Sequence, residues 1–357
     1  MQVKIIAEAG VNHNGDLELA KELIEAAAEA GADIVKFQTF KAENLVTKSA
    51  EKANYQKDTS GSDETQFEML KKLELDENMH HEIINVCRKN NIQFLSTAFD
   101  KESLDFLVNN IGLKTLKIPS GEITNGPFIH DHAKTNAKLI LSTGMATLGE
   151  IEDALAVIAH GYCIPETKIS SLEDCYKVLI SPEGRKSIGE NVSLLHCTSS
   201  YPAPAESVNL NAMDTLKNAF NLNTGYSDHT LGITASIAAV AKGASIIEKH
   251  FTLDKNMRGP DHKASLDPNE LSEMVKAIRE VSKMLGDGRK LPDINEMDTK
   301  KVARKSILAA KPIKVGETLN LENMTIKRPG LGISPMEWWS LNNSIAHKNY
   351  AKDDFIE

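Results

Sequence analysis

Eight short runs rich in apolar and β-branched residues recur along the chain, and most end in polar residues before a helical pattern begins. The first four are KIIAEAG (4–10), DIVKFQTF (33–40), QFLSTAF (93–99) and TLKIPSG (115–121). KLILSTG (138–144), SLLHCTSS (193–200), NTGYSDHT (223–230) and SIIEKHF (245–251) complete the set. Between them lie stretches such as LELAKELIEAAAEAG (17–31), whose apolar positions have the spacing of an amphipathic helix. Eight strand–helix units in one chain predict an α/β fold of the TIM-barrel, (β/α)8, type. The rival is a doubly wound open sheet. It would use fewer strands and place a glycine-rich phosphate turn after the first, where this chain reads AGVNHNG.

Two connections exceed the usual length. Residues 41–78 leave the end of the barrel at which the strands finish, and read as a lid. Residues 160–192 precede the sixth strand and are expected at the opposite, stability face. The segment GDGRKLPDINEMDTK (286–300) is polar and aperiodic, as a linker is. It separates an expected barrel domain, 1–285, from a small β-rich domain, 301–357. That domain has too few apolar residues for a large core and is expected to dock on a partner surface.

Composition narrows the function. With 41% hydrophobic and 25% charged residues over 357 positions, the chain has ordinary globular character. A net charge of -9 argues against nucleic acid as a partner, because binding a phosphate backbone needs clustered excess Lys and Arg. No long apolar stretch or basic leader is evident, so no membrane association and a cytoplasmic location are expected. Cys87, Cys163, Cys175 and Cys197 are widely spaced, which predicts reduced thiols rather than a disulfide framework.

A barrel builds its active site from the C-terminal ends of its strands, so strand order becomes a list of candidates. Lys36 and Lys117 put two cations at the barrel mouth with the hydroxyls of Thr97, Ser120 and Ser142 nearby, a combination suited to a phosphate and a carboxylate. The alternative is that each lysine pairs with a neighbouring barrel carboxylate. Residues two apart share a strand face, so Lys36 and Gln38 point together, as do Ser227 with His229 and Glu248 with His250. His229 and His250, on adjacent strands, can converge on one divalent metal with open positions for water and substrate. The alternatives are two satisfied core histidines, or one general base beside a bystander. His13 and His196 read as structural or as substrate hydrogen-bonders.

The strings IAEAGVNHNG, VKFQTFKA, FLSTAFD, KIPSGEI, ILSTGM, LLHCTSSYPAP, GYSDHT, EKHFTLDKNMRGPDHKAS and KRPGLGISPMEW resemble the bacterial sialic acid synthase family, which includes N-acetylneuraminate and legionaminic acid synthases. The match runs from the barrel through a C-terminal domain resembling type III antifreeze protein, the SAF domain. The resemblance implies a transferase that joins C3 of phosphoenolpyruvate to an open-chain N-acylated amino sugar. Water then adds at C2, and phosphate leaves with C–O cleavage. It implies a phosphoenolpyruvate shell of Lys36, Thr97, Lys117, Ser120, Ser142, Ser199 and Ser227, although relatives carry Asn or Thr at the Ser199 position. His229 and His250 would be ligands to manganese, with magnesium or cobalt as alternatives. Glu8, Gln38, Tyr201 and Asp261 would meet the sugar, and Glu122 would move a proton to or from the water, with Glu8, His229 and His250 also counted as catalytic. Arg328, in KRPG, would reach the partner's sugar pocket across a domain-swapped homodimer.

Two departures from the family pattern touch packing alone. Ala98 stands for the proline of an STPF string, and Asn343 must take any left-handed glycine position in the last turn. N-acetylmannosamine is the first expectation for the sugar, giving N-acetylneuraminate, with 2,4-diacetamido-2,4,6-trideoxymannose as the alternative. A lysine Schiff-base aldolase and a non-catalytic sugar-binding protein are the rivals of other classes.

Overall fold

A computed structural model describes residues 2–52 and 64–357. The chain divides into two compact units, Met1–Gly286 and Asp287–Glu357. In the first, eight parallel strands close into a barrel: β1 (Lys4–Gly10), β2 (Ile34–Thr39), β3 (Gln93–Ala98), β4 (Thr115–Ile118), β5 (Lys138–Ser142), β6 (Val192–Cys197), β7 (Asn223–Asp228) and β8 (Ile246–His250), with β8 pairing back to β1. Each strand lies where the apolar runs place it.

Alternation along the strands sorts their residues. One face packs outward against the helices in the main core, which holds Ile5, Val35, Phe94, Leu139 and Ile247. The other face fills the barrel in layers. Ile6, Ile34, Leu95, Ile140, Leu195 and Ile246 form a separate apolar plug. Two residues further along the same strands stand Glu8, Lys36, Thr97, Ser142, Cys197 and Glu248. The period of two thus seats a polar layer on an apolar floor. Gly225 of β7 leaves room in the plug, since a β-carbon there would come within 2.5 Å of the Ile246 carbonyl oxygen and 2.7 Å of Leu195.

Connection 41–78 carries the short helices Ala42–Leu45 and Gln66–Lys72, and residues 53–63, the middle of the expected lid, lie outside the described residues. Connection 160–192 begins within the last turn of the helix Leu148–Cys163 and folds into two more, Leu172–Leu179 and Pro182–Asn191. The cysteines are free, and three of the four are buried. Among the described residues, no helix is long and apolar enough to cross a membrane.

The small unit pairs β9 (Ser306–Ala309) with β10 (Met324–Lys327) in antiparallel fashion around Ile307, Ile313, Leu319, Met324, Tyr350 and Ile356. Short helical segments, Ile294–Glu296 and Met297–Ala303, precede β9 within this unit, where the sequence is expected to form a linker. Asn343 has φ +73°, the left-handed conformation expected of it from the sequence.

Candidate active site

A cavity of about 410 Å³ opens at the C-terminal ends of the strands. Strand register assembles its floor, placing Glu8 level with Lys36 on one side and His250 on the other, Thr97 level with Lys117, and Ser227 level with Glu248. Lys36 Nζ lies 2.9 Å from Glu8 Oε2 and 3.4 Å from Glu248 Oε2, and donates to Thr97 Oγ1 at 3.0 Å. Lys117 Nζ donates to Ser142 Oγ at 2.7 Å and sits 3.5 Å from Glu248 Oε1. Glu248 also accepts from Ser227 Oγ at 2.8 Å. The lysines therefore do pair with barrel carboxylates, and they face the cavity as well. Glu248, which the sequence marks only as sharing a face with His250, joins both lysines.

Burial decides how these charges behave. Desolvation raises Glu8 to about 7, against the pull of Lys36. Glu248 is equally buried, but Lys117 and Lys36 together overcome that cost and hold it well below the usual carboxylate range. Burial lowers the Lys117 pKa, whereas for Lys36 the attraction of Glu248 and Glu8 outweighs burial and the net shift is upward. Near neutrality, then, one carboxylate is firmly ionised between two lysines and the other is poised to carry a proton. An incoming anion would meet two amino groups and three hydroxyls in one small volume.

The imidazoles stand above this floor, with ring centroids 5.8 Å apart. His229 Nδ1 lies 2.7 Å from the Thr198 carbonyl oxygen. A carbonyl can only accept, so Nδ1 carries the proton and Nε2 keeps its lone pair, 3.5 Å from Ser227 Oγ. That outer hydrogen bond is the one a metal-binding histidine ordinarily makes. His250 Nδ1 is buried without a hydrogen-bond partner, 3.9 Å from Asp261 Oδ2. Desolvation lowers the pKa of both rings, and His229 depresses His250 further, so both are neutral. Two neutral nitrogens with a carboxylate at the edge suit a cation that takes its other ligands from water and substrate. Among the described residues, no group of three or more His, Cys, Asp or Glu side chains is placed to hold a metal ion by itself.

The other predicted residues divide between the cavity and the small unit. Ser120 and Ser199 line the cavity on either side of Gly144, whose N–H donates to Ser120 Oγ at 3.0 Å. A β-carbon at Gly144 would overlap Ser199 Oγ and lie 2.8 Å from Ser120 Oγ, so a side chain here would displace both hydroxyls. Glu122, in the turn Ser120–Glu122, lies at the cavity wall and accepts from Asn125 Nδ2 at 2.7 Å. Gln38 Nε2 is 3.5 Å from Glu8 Oε1, and the Tyr201 ring lies 4.2 Å from that of His229. Asp261 is buried at the wall, which raises its pKa to about 6. Arg328 is exposed in the small unit, directly after β10. His196 Nε2 binds the Val208 carbonyl oxygen at 2.7 Å, and His13 Nδ1 accepts from the Gly15 N–H at 3.0 Å.

The lysine pair, the serine hydroxyls and the histidine pair thus occupy one barrel mouth. A model of the NeuB family matches residues 23–290, and one of the SAF domain matches residues 304–357. The chain belongs to the NeuB family. It is 53% identical to an N,N'-diacetyllegionaminic acid synthase of Campylobacter jejuni over 352 residues, covering 99% of this chain and 98% of that one. Identity to the protein of the same name from Legionella pneumophila is 47%, over 93% and 87% of the two chains. The crystal structure of an N-acetylneuraminic acid synthetase from Leptospira borgpetersenii superposes with a TM-score of 0.67 at 34% identity, covering 84% of this chain and 90% of the other. NeuB family membership accounts for the order of the motifs along the chain.

Proposed function

We propose that this chain is a metal-dependent nonulosonic acid synthase that condenses phosphoenolpyruvate with 2,4-diacetamido-2,4,6-trideoxymannose and water, giving N,N'-diacetyllegionaminic acid and phosphate. The observation that carries the chemistry is the layering of the cavity, with two buried lysines among hydroxyls below and two neutral imidazoles above. One layer suits a small polyanion and the other a polarised carbonyl oxygen. The choice of sugar rests on likeness. Identity is 53% and 47% to the two N,N'-diacetyllegionaminic acid synthases, but 33% to a pseudaminic acid synthase and 32% to a mouse N-acetylneuraminate-9-phosphate synthase. That contrast favours the alternative sugar over N-acetylmannosamine.

In this reading Lys36 and Lys117, with Thr97, Ser120, Ser142, Ser199 and Ser227, hold the phosphate and carboxylate of phosphoenolpyruvate. His229 and His250 would hold a divalent cation, manganese first, which supplies Lewis-acid polarisation of the aldehyde oxygen. C3 of phosphoenolpyruvate bonds to the aldehyde carbon, and Glu8 gives its proton to the oxygen that becomes a hydroxyl. Water adds at C2, losing one proton to Glu122, and the resulting C2 hydroxyl passes its remaining proton to the departing phosphate as the bond between C2 and the phosphate oxygen breaks, leaving the keto group. Gln38, Tyr201 and Asp261 orient the sugar hydroxyls. Arg328 would come from the second subunit of a domain-swapped dimer. The exposed Leu331, Met336 and Trp339 of the small unit suit burial against a second copy.

The test is to strip the protein of metal and incubate it with phosphoenolpyruvate, manganese and each sugar in turn, following phosphate release and product mass. Metal-dependent product from the diacetamido sugar supports the proposal. Product from N-acetylmannosamine alone would reassign the sugar, and no phosphate from either would overturn the synthase reading.

A further inference from the structure

The cavity has two chemically different walls. On the side of β4 to β6 it presents Ser120, Glu122, Ser199 and Tyr201, with Pro119 and the largely exposed Met145 among them. On the side of β1 to β3 it presents Val11, Phe40, Leu45, Met69, Leu70 and Phe99. These apolar residues form a small cluster of their own, separate from the helix-facing core and from the barrel plug. Phe40 and Phe99 hold it together edge to face, with centroids 6.2 Å apart. Val11, Phe40 and Phe99 follow β1, β2 and β3, whereas Met69 and Leu70 come from the helix Gln66–Lys72. Among the described residues, Gln66 is the one polar side chain that this helix gives to the cavity.

A wall of this kind sorts sugars by what they carry beyond the reacting carbons. Among the described residues Gln66 is the one polar group that the helix Gln66–Lys72 offers there, so a polyol tail turned toward this wall would bury most of its hydroxyls without a partner, which is unfavourable. A tail with a methyl at C6 and an acetamido group at C4 instead offers two methyl groups to the apolar surface and an amide to Gln66. We infer that the wall formed by Val11, Phe40, Met69 and Leu70 selects 6-deoxy sugars acylated on a second amino group, with Gln66 hydrogen-bonding the 4-acetamido group. This rests on the proposed condensation and assigns the choice of sugar to one part of its site.

The experiment compares kcat/KM for N-acetylmannosamine, its 6-deoxy analogue and the diacetamido-trideoxy sugar in the wild type, Met69→Gln, Leu70→Asn, Leu70→Ala and Gln66→Leu. The wild type should favour the 6-deoxy analogue over its 6-hydroxy parent by about tenfold or more. Leu70→Asn and Met69→Gln should reduce that ratio by about tenfold while the KM for phosphoenolpyruvate holds. Leu70→Ala keeps the wall apolar and should retain the preference, so it serves if a polar variant fails to fold. Gln66→Leu should penalise the diacetamido sugar alone. Equal ratios in wild type and variants would overturn the inference. If no sugar releases phosphate, the condensation itself is overturned, and calorimetric binding of the same three sugars then decides the wall by the same ratios.

Discussion

Lys249 Nζ lies 3.1 Å from Asp228 Oδ2, and neither side chain is exposed to solvent. The two residues are level in the pairing of β7 with β8, each directly preceding an imidazole of the site. Asp228 also accepts from the N–H and hydroxyl of Thr230 and from Ser236 Oγ, so the pair ties together the strand ends that carry His229 and His250. Removing one partner leaves a buried, uncompensated charge. Lys249→Met should cost roughly 3–5 kcal/mol in urea unfolding, and adding Asp228→Asn should recover part of it. A single variant as stable as the wild type would show that the pair does not hold the strands.

Glu248 balances both lysines until substrate arrives. In Glu248→Gln the lysines share Glu8 alone, and a bound anion supplies the missing negative charge. Phosphoenolpyruvate should therefore raise the melting temperature of this variant by more than it raises that of the wild type. Equal shifts in a thermal melt would place the anion away from the lysines.

The histidine pair makes a prediction that does not need turnover. His229→Ala and His250→Ala should each weaken manganese binding by about 100-fold or more, read from the paramagnetic resonance signal of free manganese. Unchanged binding in both would move the metal elsewhere.

Acid should destabilise the barrel through buried neutral histidines. His132 is buried, its Nδ1 donates to the Phe128 carbonyl at 2.9 Å, and burial pushes its pKa down to about 4. Below pH 6.5 the unfolded chain takes up a proton that the folded one refuses. Stability is thus present above that pH and is lost as pH falls toward 4, by about 1.4 kcal/mol per unit. Between pH 7 and pH 5 the wild type should lose roughly 2 kcal/mol more than His132→Leu in urea titrations. Parallel losses would clear His132 of the effect.

A lowered Lys117 pKa is also what an imine-forming aldolase would want. Its ammonium, however, donates to Ser142 and lies beside Glu248. Borohydride added to the protein with pyruvate should leave its mass unchanged. A pyruvyl adduct on Lys117 would revive the aldolase reading.

Local pattern made the eight strands legible, because apolar runs of strand length recur between segments of helical period. The same alternation showed that Lys36 and Gln38 share a face, as do Ser227 with His229 and Glu248 with His250, since side-chain direction along a strand is a local property. The motif strings extended this to the family. Contacts between strands are set by closure and register instead. That Glu248 lies between Lys36 and Lys117 depends on β8 pairing with β1 across the whole chain. The poise of Glu8 near 7 depends on burial, and neither quantity is written in local sequence. The apolar wall was equally hidden, because Met69 and Leu70 sit in a connection whose placement against Val11 and Phe40 is decided by packing alone. The sequence by itself determined which strand residues reach the barrel mouth. The tertiary structure decided which of them touch and what charge they carry, because desolvation and pairing act through space rather than along the chain.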